Sequence, residues 1–390
     1  MALLIVLLIA ATIVERACGT DAAQAWIYTS PVTIVLWAVM AYTGCVYIFR
    51  RRMVQHPATL LLHLSFIVIL SGAFVTHLFG YHGTLHLRKD VPAQHFMRDD
   101  GLMQMLPYTL TLRDFHIDYY ADSQQPRDYV SVVECSGTGG EAAVISMNHI
   151  FRCRGFRFCQ ADYDADSQGT VLSVNHDPVG IGVTYTGYVL LFIAFAAFFL
   201  QRGSRFRSLL RSPLLHSRHL RLPMALLATI IIGFAVMIIV SYQGEEGLAP
   251  VLHTPILGFH VSIIILSYAL LAFMMINGLM GLFWTANAER LQVISNILLY
   301  PAVFLLGLGI FIGAMWGNIS WGSYWAWDPK ETWALITMLV CAAGFHVQSL
   351  PWLRQPRHYH LFTVLAFLSV LITYFGVNLL LGGMHSYSSL

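Results

Sequence analysis

Long apolar runs alternate with short polar connections along this chain, and one long polar interval interrupts them. Crossing the hydrocarbon core of a bilayer takes about 20 mostly apolar residues. Runs of that order lie at Pro31 to Phe49, Ala58 to Phe79, Val179 to Leu200, Pro223 to Tyr242, Phe259 to Trp284, Leu291 to Met315, Thr332 to Leu350 and His360 to Leu381. Met1 to Val14 is shorter but extends to Cys18; it has neither a basic leading segment nor a clear A-x-A site, which predicts a first transmembrane helix rather than a signal peptide. The polar interval, Gly80 to Pro178, has a different period. YTLTLRDF, DYVSVVEC, AAVISMNH, FRFCQADY and TVLSVNHD are short, β-branched or alternating, and are separated by Gly, Asp, Ser and Pro. Roughly five or six strands in one small sheet or sandwich are expected there. The expected fold is therefore an all-α polytopic membrane protein of about nine transmembrane helices with one small β-rich domain.

Composition supports the membrane class: 57% of the 390 residues are hydrophobic, 11% are charged, and the mean hydropathy is +0.65. The net charge of +2 points to no partner, and nothing in the chain points to nucleic acid. The placement of charge is more informative. With Arg50 to Arg52 on the cytoplasmic side, the same side collects Arg202, Arg205, Arg207, Arg211, Arg218, Arg221, Arg290, Arg354 and Arg357, and of 20 acidic residues only Glu289. Short basic loops stay inside, so the polar interval, the connection after Met315 and the C-terminus are expected to face outward. The six cysteines include no CxxC and no CxxCH, so the chain has neither a thioredoxin-type pair nor a covalent haem-attachment site of its own. Cys135, Cys153 and Cys159 fall in the polar interval; one disulfide there would leave one thiol over, with the pairing open.

Two features carry candidate chemistry. The first is Trp316 to Trp333, WGNISWGSYWAWDPKETW, which holds Trp316, Trp321, Trp325, Trp327 and Trp333 with Tyr324 among them. Asp328, Pro329 and Glu331 read as the N-cap, first position and capping-box acid of a helix, and the residues before them as a loop or short interfacial helix. Aromatic faces beside a helix N-terminus suit a flat, largely apolar ligand with anionic groups at one edge. A membrane-interface belt is the plainer alternative, although a belt scatters its aromatics over many helix ends. The second feature is a set of histidines in apolar surroundings. His63 and His346 fall at cytoplasmic ends of spans, and His260 and His385 at outer ends. Ionisable groups inside a membrane are costly and usually face a partner; a hydrogen-bonded packing histidine is the plainer reading of any one of them, whereas two stacked pairs would suit the axial ligands of two low-spin metalloporphyrins. His77 and His253 are rivals for these positions.

The stretch WGSYWAWDPKETWAL resembles the tryptophan-rich WWD signature of haem-handling proteins in cytochrome c maturation. With FHVSIIILSYALL, SNILLY, GIFIGAMWG, TYFGVN and GMHSY, residues 248–390 are similar to the CcsA component of the system II cytochrome c synthase. ATIVERACGT and LLHLSFIVILSGAFVTHLFGYHGTLHLRKD are similar to its partner component, CcsB or ResB. The whole chain thus resembles a CcsBA-type fusion. The implied parts are CcsB/ResB-like helices at 1–79, a periplasmic β-rich domain at 80–178, a helix with a basic cytoplasmic loop at 179–222, and a CcsA-like part at 223–390 with the WWD loop at 316–333. The resemblance implies a bacterial inner-membrane protein that exports haem b as substrate and joins it by thioether bonds to the CxxCH motif of apocytochrome c. The activity implied is that of a holocytochrome c synthase, with thiol-reducing thioredoxin-like proteins as further partners. His63 and His346 would ligate haem iron at an inner site and His260 and His385 at an outer one. Trp321, Tyr324, Trp325, Trp327, Asp328 and Trp333 would cradle the porphyrin. No catalytic residue is expected beyond those that position haem. A haem exporter that hands its cargo to a separate ligase is the alternative reading.

Overall fold

The computed structural model describes residues 1–121, 124–216 and 254–381, with scattered positions between 225 and 237. Its long helices are α1 (Ala2–Cys18), α2 (Pro31–Arg50), α3 (Pro57–Phe79), α4 (Gly180–Leu200), α5 (Pro255–Phe283), α6 (Ala288–Ser320), α7 (Pro329–Ala342) and α8 (Pro356–Leu371), the last continuing as a wider π-helical segment, Ile372–Leu381. Prolines at the first helical position open α2, α3, α5, α7 and α8, where the absent N–H has no intrahelical partner to lose. Ser30 caps α2 by accepting the Thr33 N–H.

Among the described residues, six helices are long and apolar enough to cross a membrane, so the chain is a multi-pass membrane protein. The central one is α6: 67% of its apolar window is buried, against 6% for α2 at the periphery. Its buried side chains, including Leu299, Ala302, Leu306 and Ile310, form one core with Tyr188, Leu191 and Phe195 of α4 and Leu270 and Met274 of α5. A second apolar cluster ties α1 to α7, where Leu4, Leu8 and Ala11 meet Trp333, Ile336 and Leu339. α3 and α4 pack through small residues. A Cβ on Gly72 would collide with the Thr184 backbone, and one on Gly187 would lie 2.9 Å from the Ile69 nitrogen. Close backbone approach of this kind replaces hydrophobic driving force between helices in lipid.

The polar interval folds into eight antiparallel strands: β1 (Tyr81–Arg88), β2 (Pro92–Arg98), β3 (Met103–Tyr119), β4 (Pro126–Cys135), β5 (Ala142–Ile145), β6 (Phe151–Cys153), β7 (Phe156–Tyr163) and β8 (Gly169–His176). Their order is β5-β4-β3-β2-β1-β8-β7-β6. The sheet rolls over on itself, so that Leu110, Leu112 and Val133 from one half pack on Phe158, Leu172 and Val174 from the other. Across the fold, the Ser131 hydroxyl of β4 bonds Gln160 Oε1 of β7 at 2.8 Å and Thr170 Oγ1 of β8 at 3.0 Å.

The all-α expectation with one small β-rich domain is therefore corrected: a large eight-stranded sheet stands beside the helices, and six rather than about nine described helices meet the length and hydropathy of a span. Three strands escape a pattern search. β1 hides its alternation, with Gly83, Leu85 and Leu87 inward, behind glycine, two histidines and an arginine; β2 opens on proline and buries only Phe96; β6 has only three residues. The run Thr332 to Leu350 does not stay helical, because α7 stops at Ala342 and a tight 3₁₀ turn, Ala343–His346, follows. Gly344 in that turn packs so closely that a Cβ would lie 2.7 Å from Leu299. α1 has 17 residues, three fewer than α2, which at 20 is the shortest of these spans. Pro223 to Tyr242 lies largely outside the described residues.

The α3–α4 contact makes a direct prediction. Gly72→Val should lower the melting temperature of the purified protein in detergent, in line with an overpacking cost of about 1–3 kcal/mol. Gly182→Ala, at an open position of α4 with no atom within 4 Å, should leave it unchanged or slightly raised.

Candidate functional site

The end of α7 decides the geometry at the inner end of the bundle. Because the helix gives way to the Ala343–His346 turn, His346 swings towards His63 of α3, and their ring centroids lie 6.4 Å apart at an interplanar angle of 75°. Each ring donates from Nδ1 to the carbonyl four residues earlier: His63 to Thr59 at 2.9 Å, His346 to Ala342 at 3.0 Å. That bond fixes the tautomer and leaves Nε2 as the acceptor nitrogen on both rings, as second-shell carbonyls do for metal-binding histidines. With metal–nitrogen bonds of about 2 Å, two imidazoles on opposite sides of one ion have centroids roughly 6.3 Å apart, so the pair is spaced for an iron atom between them. Tyr47 of α2 closes the site, 6.0 Å from His63 and 6.2 Å from His346, with the Arg51 guanidinium 5.5 Å over its ring.

One cavity of about 1380 Å³ is lined at this end by His63, His346, Tyr47 and Arg51, and at the other by Tyr324, Trp325, Trp327 and Thr76. Ligand pockets commonly run to about 300–1,000 Å³, so it can hold a large flat molecule with room to spare. Two indole nitrogens on its wall, Nε1 of Trp37 and of Trp325, are buried without an acceptor. A buried unpaired N–H is costly, and here both donors suit a ligand with carboxylates.

The outer end is a loop held from several directions. α6 continues through Trp316 to Ser320, so the irregular part is shorter than the aromatic stretch suggests. Gly322 turns the chain at φ +80°, and Trp327 holds φ +60°, a left-handed conformation unusual for a bulky side chain. Its ring stacks on Tyr28 with centroids 4.9 Å apart and planes within 15°. Asp328 caps α7, accepting the Lys330 N–H at 2.8 Å, and Glu331 reaches back to the Ala326 N–H at 2.9 Å. The Ala326 carbonyl accepts from Gln24 at 2.9 Å. From the sheet, Arg157 donates to both Asn318 Oδ1 and the Asn318 carbonyl at the end of α6, at 2.5 and 2.6 Å, a cation where the helix dipole favours one. Asn175 donates to the Gly322 carbonyl at 2.5 Å and meets His82 Nδ1 at 3.2 Å. Tyr324 donates to Thr76, which donates to Asp177. Burial pulls Arg157 below its ordinary value and keeps His82 neutral, its pKa lowered despite Asp99 and Asp177 nearby.

The aromatic candidates divide. Tyr324, Trp325 and Trp327 face the cavity. Trp333 is buried against α1, donating to Thr12 at 3.2 Å. Trp321 packs edge-on to Trp316 at 4.8 Å, and Asp328 serves as the helix cap. His260 donates from Nδ1 to the Gly309 carbonyl at 2.7 Å and does not line the cavity, whereas His77 does. His385 and His253 lie outside the described residues. Sequence reasoning missed Gln24, Tyr28, Tyr47, Arg157 and Asn175. The one available signal was polarity in an odd place: Gln24 sits between two apolar runs, and Arg157 between two phenylalanines of β7.

The comparisons agree with this architecture. Residues 189–385 match the family model described as cytochrome C assembly protein, and residues 50–184 match the ResB-like family. Protein NrfI of Wolinella succinogenes is 40% identical over 159 residues, covering 36% of this chain and 17% of its own length. The cytochrome c biogenesis proteins CcsA of Gloeobacter violaceus and Trichormus variabilis are 46% and 50% identical over 101 residues, 26% of this chain and 29% and 28% of theirs. The chain thus spans less than a third of the length of each of these relatives. With the family model covering half of the residues, the chain belongs to the cytochrome C assembly protein family, and it carries a ResB-like segment ahead of that part.

Proposed function

We propose that this protein takes up haem b between His63 and His346, passes it to the outer aromatic loop, and attaches it there to the CxxCH motif of an apocytochrome c. The observation that carries the reading is a continuous cavity joining a pair of imidazoles, spaced for iron and oriented by backbone carbonyls, to the face of Trp325 and Trp327. The unpaired indole donors of Trp37 and Trp325 suit propionate oxygens, and Arg51 at the inner end is a cation for the same groups. His260, with His385 as its expected partner, would hold the iron at the outer site, and the Trp loop and sheet face the periplasm. The printed names of the relatives concern cytochrome c biogenesis, and the proposed substrates fit that process.

In the reaction, each cysteine S–H adds across one haem vinyl group. A carbon–sulfur bond forms, the hydrogen ends on the neighbouring carbon, and nothing leaves. The thiolate is the nucleophile and comes from the apocytochrome, whose thiols thioredoxin-like reductants would keep free. The protein contributes orientation, turning an encounter of two molecules into a fixed approach of sulfur to vinyl carbon. The loop suits that role because its backbone is clamped by Asn175, Arg157 and Gln24.

Co-expression with a CxxCH apocytochrome in cells lacking other maturation proteins should yield haem that stays on the cytochrome after denaturing electrophoresis. A protein that releases free haem but gives no covalent product is an exporter, and the synthase reading then fails. In the purified protein, His63→Ala or His346→Ala should each remove most of the low-spin ferrous bands of inner-site haem, and the double variant should lose little more, since either change breaks the same pair. Trp325→Phe keeps the aromatic face but removes the N–H. Haem affinity measured by titration should fall about tenfold, the usual worth of one hydrogen bond to a charged acceptor.

A further inference from the structure

We propose that Cys135 and Cys153 are joined by a disulfide that latches the seam of the rolled sheet. The two sulfurs lie 3.3 Å apart, and the side chains are 0% and 4% exposed. Cys135 ends β4 and Cys153 ends β6. Small side-chain rotations close that gap to the ordinary sulfur–sulfur bond of about 2.05 Å. The position has a mechanical purpose. The strand order puts β5 and β6 at opposite edges of the sheet, and no ladder among the described residues joins them. Rolling brings the halves together, and at one place the Ser131, Gln160 and Thr170 side chains bridge them. The two cysteines bridge them at another. Cys159 is placed otherwise: it sits beneath Gly322, where an added Cβ would be 3.1 Å from its sulfur.

The pair is also covered. The turn Ser136–Thr138 lies on it so closely that a Cβ on Gly137 would be 3.0 Å from Cys153 Sγ and 3.0 Å from the Tyr108 ring. Tyr108 in turn donates to the Cys153 carbonyl at 2.9 Å. Burial pushes the Cys153 thiol up to about 11, so Cys153 supplies little thiolate for exchange, and the covering turn shields both sulfurs. Oxidation therefore belongs to folding, before the seam shuts. The two S–H bonds break, one S–S bond forms, and two electrons and two protons pass to a disulfide-bearing oxidant, which leaves as a dithiol. Once buried, the bond is out of reach of the reductants that the attachment reaction needs for its substrate thiols. This step rests on the proposed outward orientation of the sheet, since disulfides persist on the oxidising side of a membrane.

The test uses the full chain in its native membranes. Thiols are trapped with acid, blocked with N-ethylmaleimide after unfolding, then reduced, labelled with iodoacetamide and mapped by peptide mass spectrometry. The expected result is iodoacetamide on Cys135 and Cys153 and maleimide on Cys159. In parallel, purified protein is unfolded, reduced and refolded with oxidised glutathione, which asks whether the pair forms whatever the orientation in cells. Sidedness is read separately with a membrane-impermeant maleimide on Gln168→Cys, an exposed turn position, in a background carrying Cys135→Ser and Cys153→Ser. Maleimide on both cysteines in membranes whose reporter is labelled from outside overturns the proposal, as does failure to pair after refolding. Pairing only in the refolded protein, with a reporter shielded from outside, supports the bond and overturns the orientation.

Discussion

An irregular stretch of backbone at the end of a membrane bundle must find a partner for each polar group that water does not reach. The Trp loop meets that constraint with groups from widely separated parts of the chain: Gln24 between α1 and α2, Thr76 at the end of α3, and Arg157 and Asn175 in the sheet. The sheet is thus part of the structural support of the aromatic site. That support comes from β7 and β8, whose inward residues build a core while Arg157 and Asn175 reach the loop. The left-handed Trp327, stacked on Tyr28, is a conformation that persists only where its surroundings over-determine it.

The inner histidines depend on a simpler device. An imidazole on a helix can donate from Nδ1 to the carbonyl four residues back, and both His63 and His346 do so. The bond costs no extra residue, satisfies one nitrogen and presents the other to the cavity. The early end of α7 completes the device by bringing His346 to face His63. A full-length helix through Leu350 would have carried it round the helix axis instead.

The sequence was most legible where period and capping act locally. Five of the eight strands stand out as alternating runs, and Asp328-Pro329 marks the start of α7. β1 was illegible because histidine and glycine break the expected composition while its inward Leu85 and Leu87 keep the period. The meeting of His63 and His346 was hidden for another reason. Charge counting put both on one side of the membrane, but their distance depends on a turn set by Gly344 packing against Leu299 and Phe362, which is tertiary information. The division of the Trp residues between structural and cavity-facing positions has the same origin, since Trp321 and Trp325 differ only in what surrounds them.

The length of α6 bears on how a polypeptide would reach the loop. Its 33 residues extend about 50 Å at 1.5 Å per residue, while the hydrocarbon core is about 30 Å thick. Even with an ordinary tilt, roughly 15–20 Å of rod is left over for the two ends. The helix is therefore long enough to carry the aromatic platform out of the oily layer and into the headgroup zone. In the proposed reaction an incoming chain would lie across that platform while remaining hydrated, and only the flat cargo would travel through the dry interior.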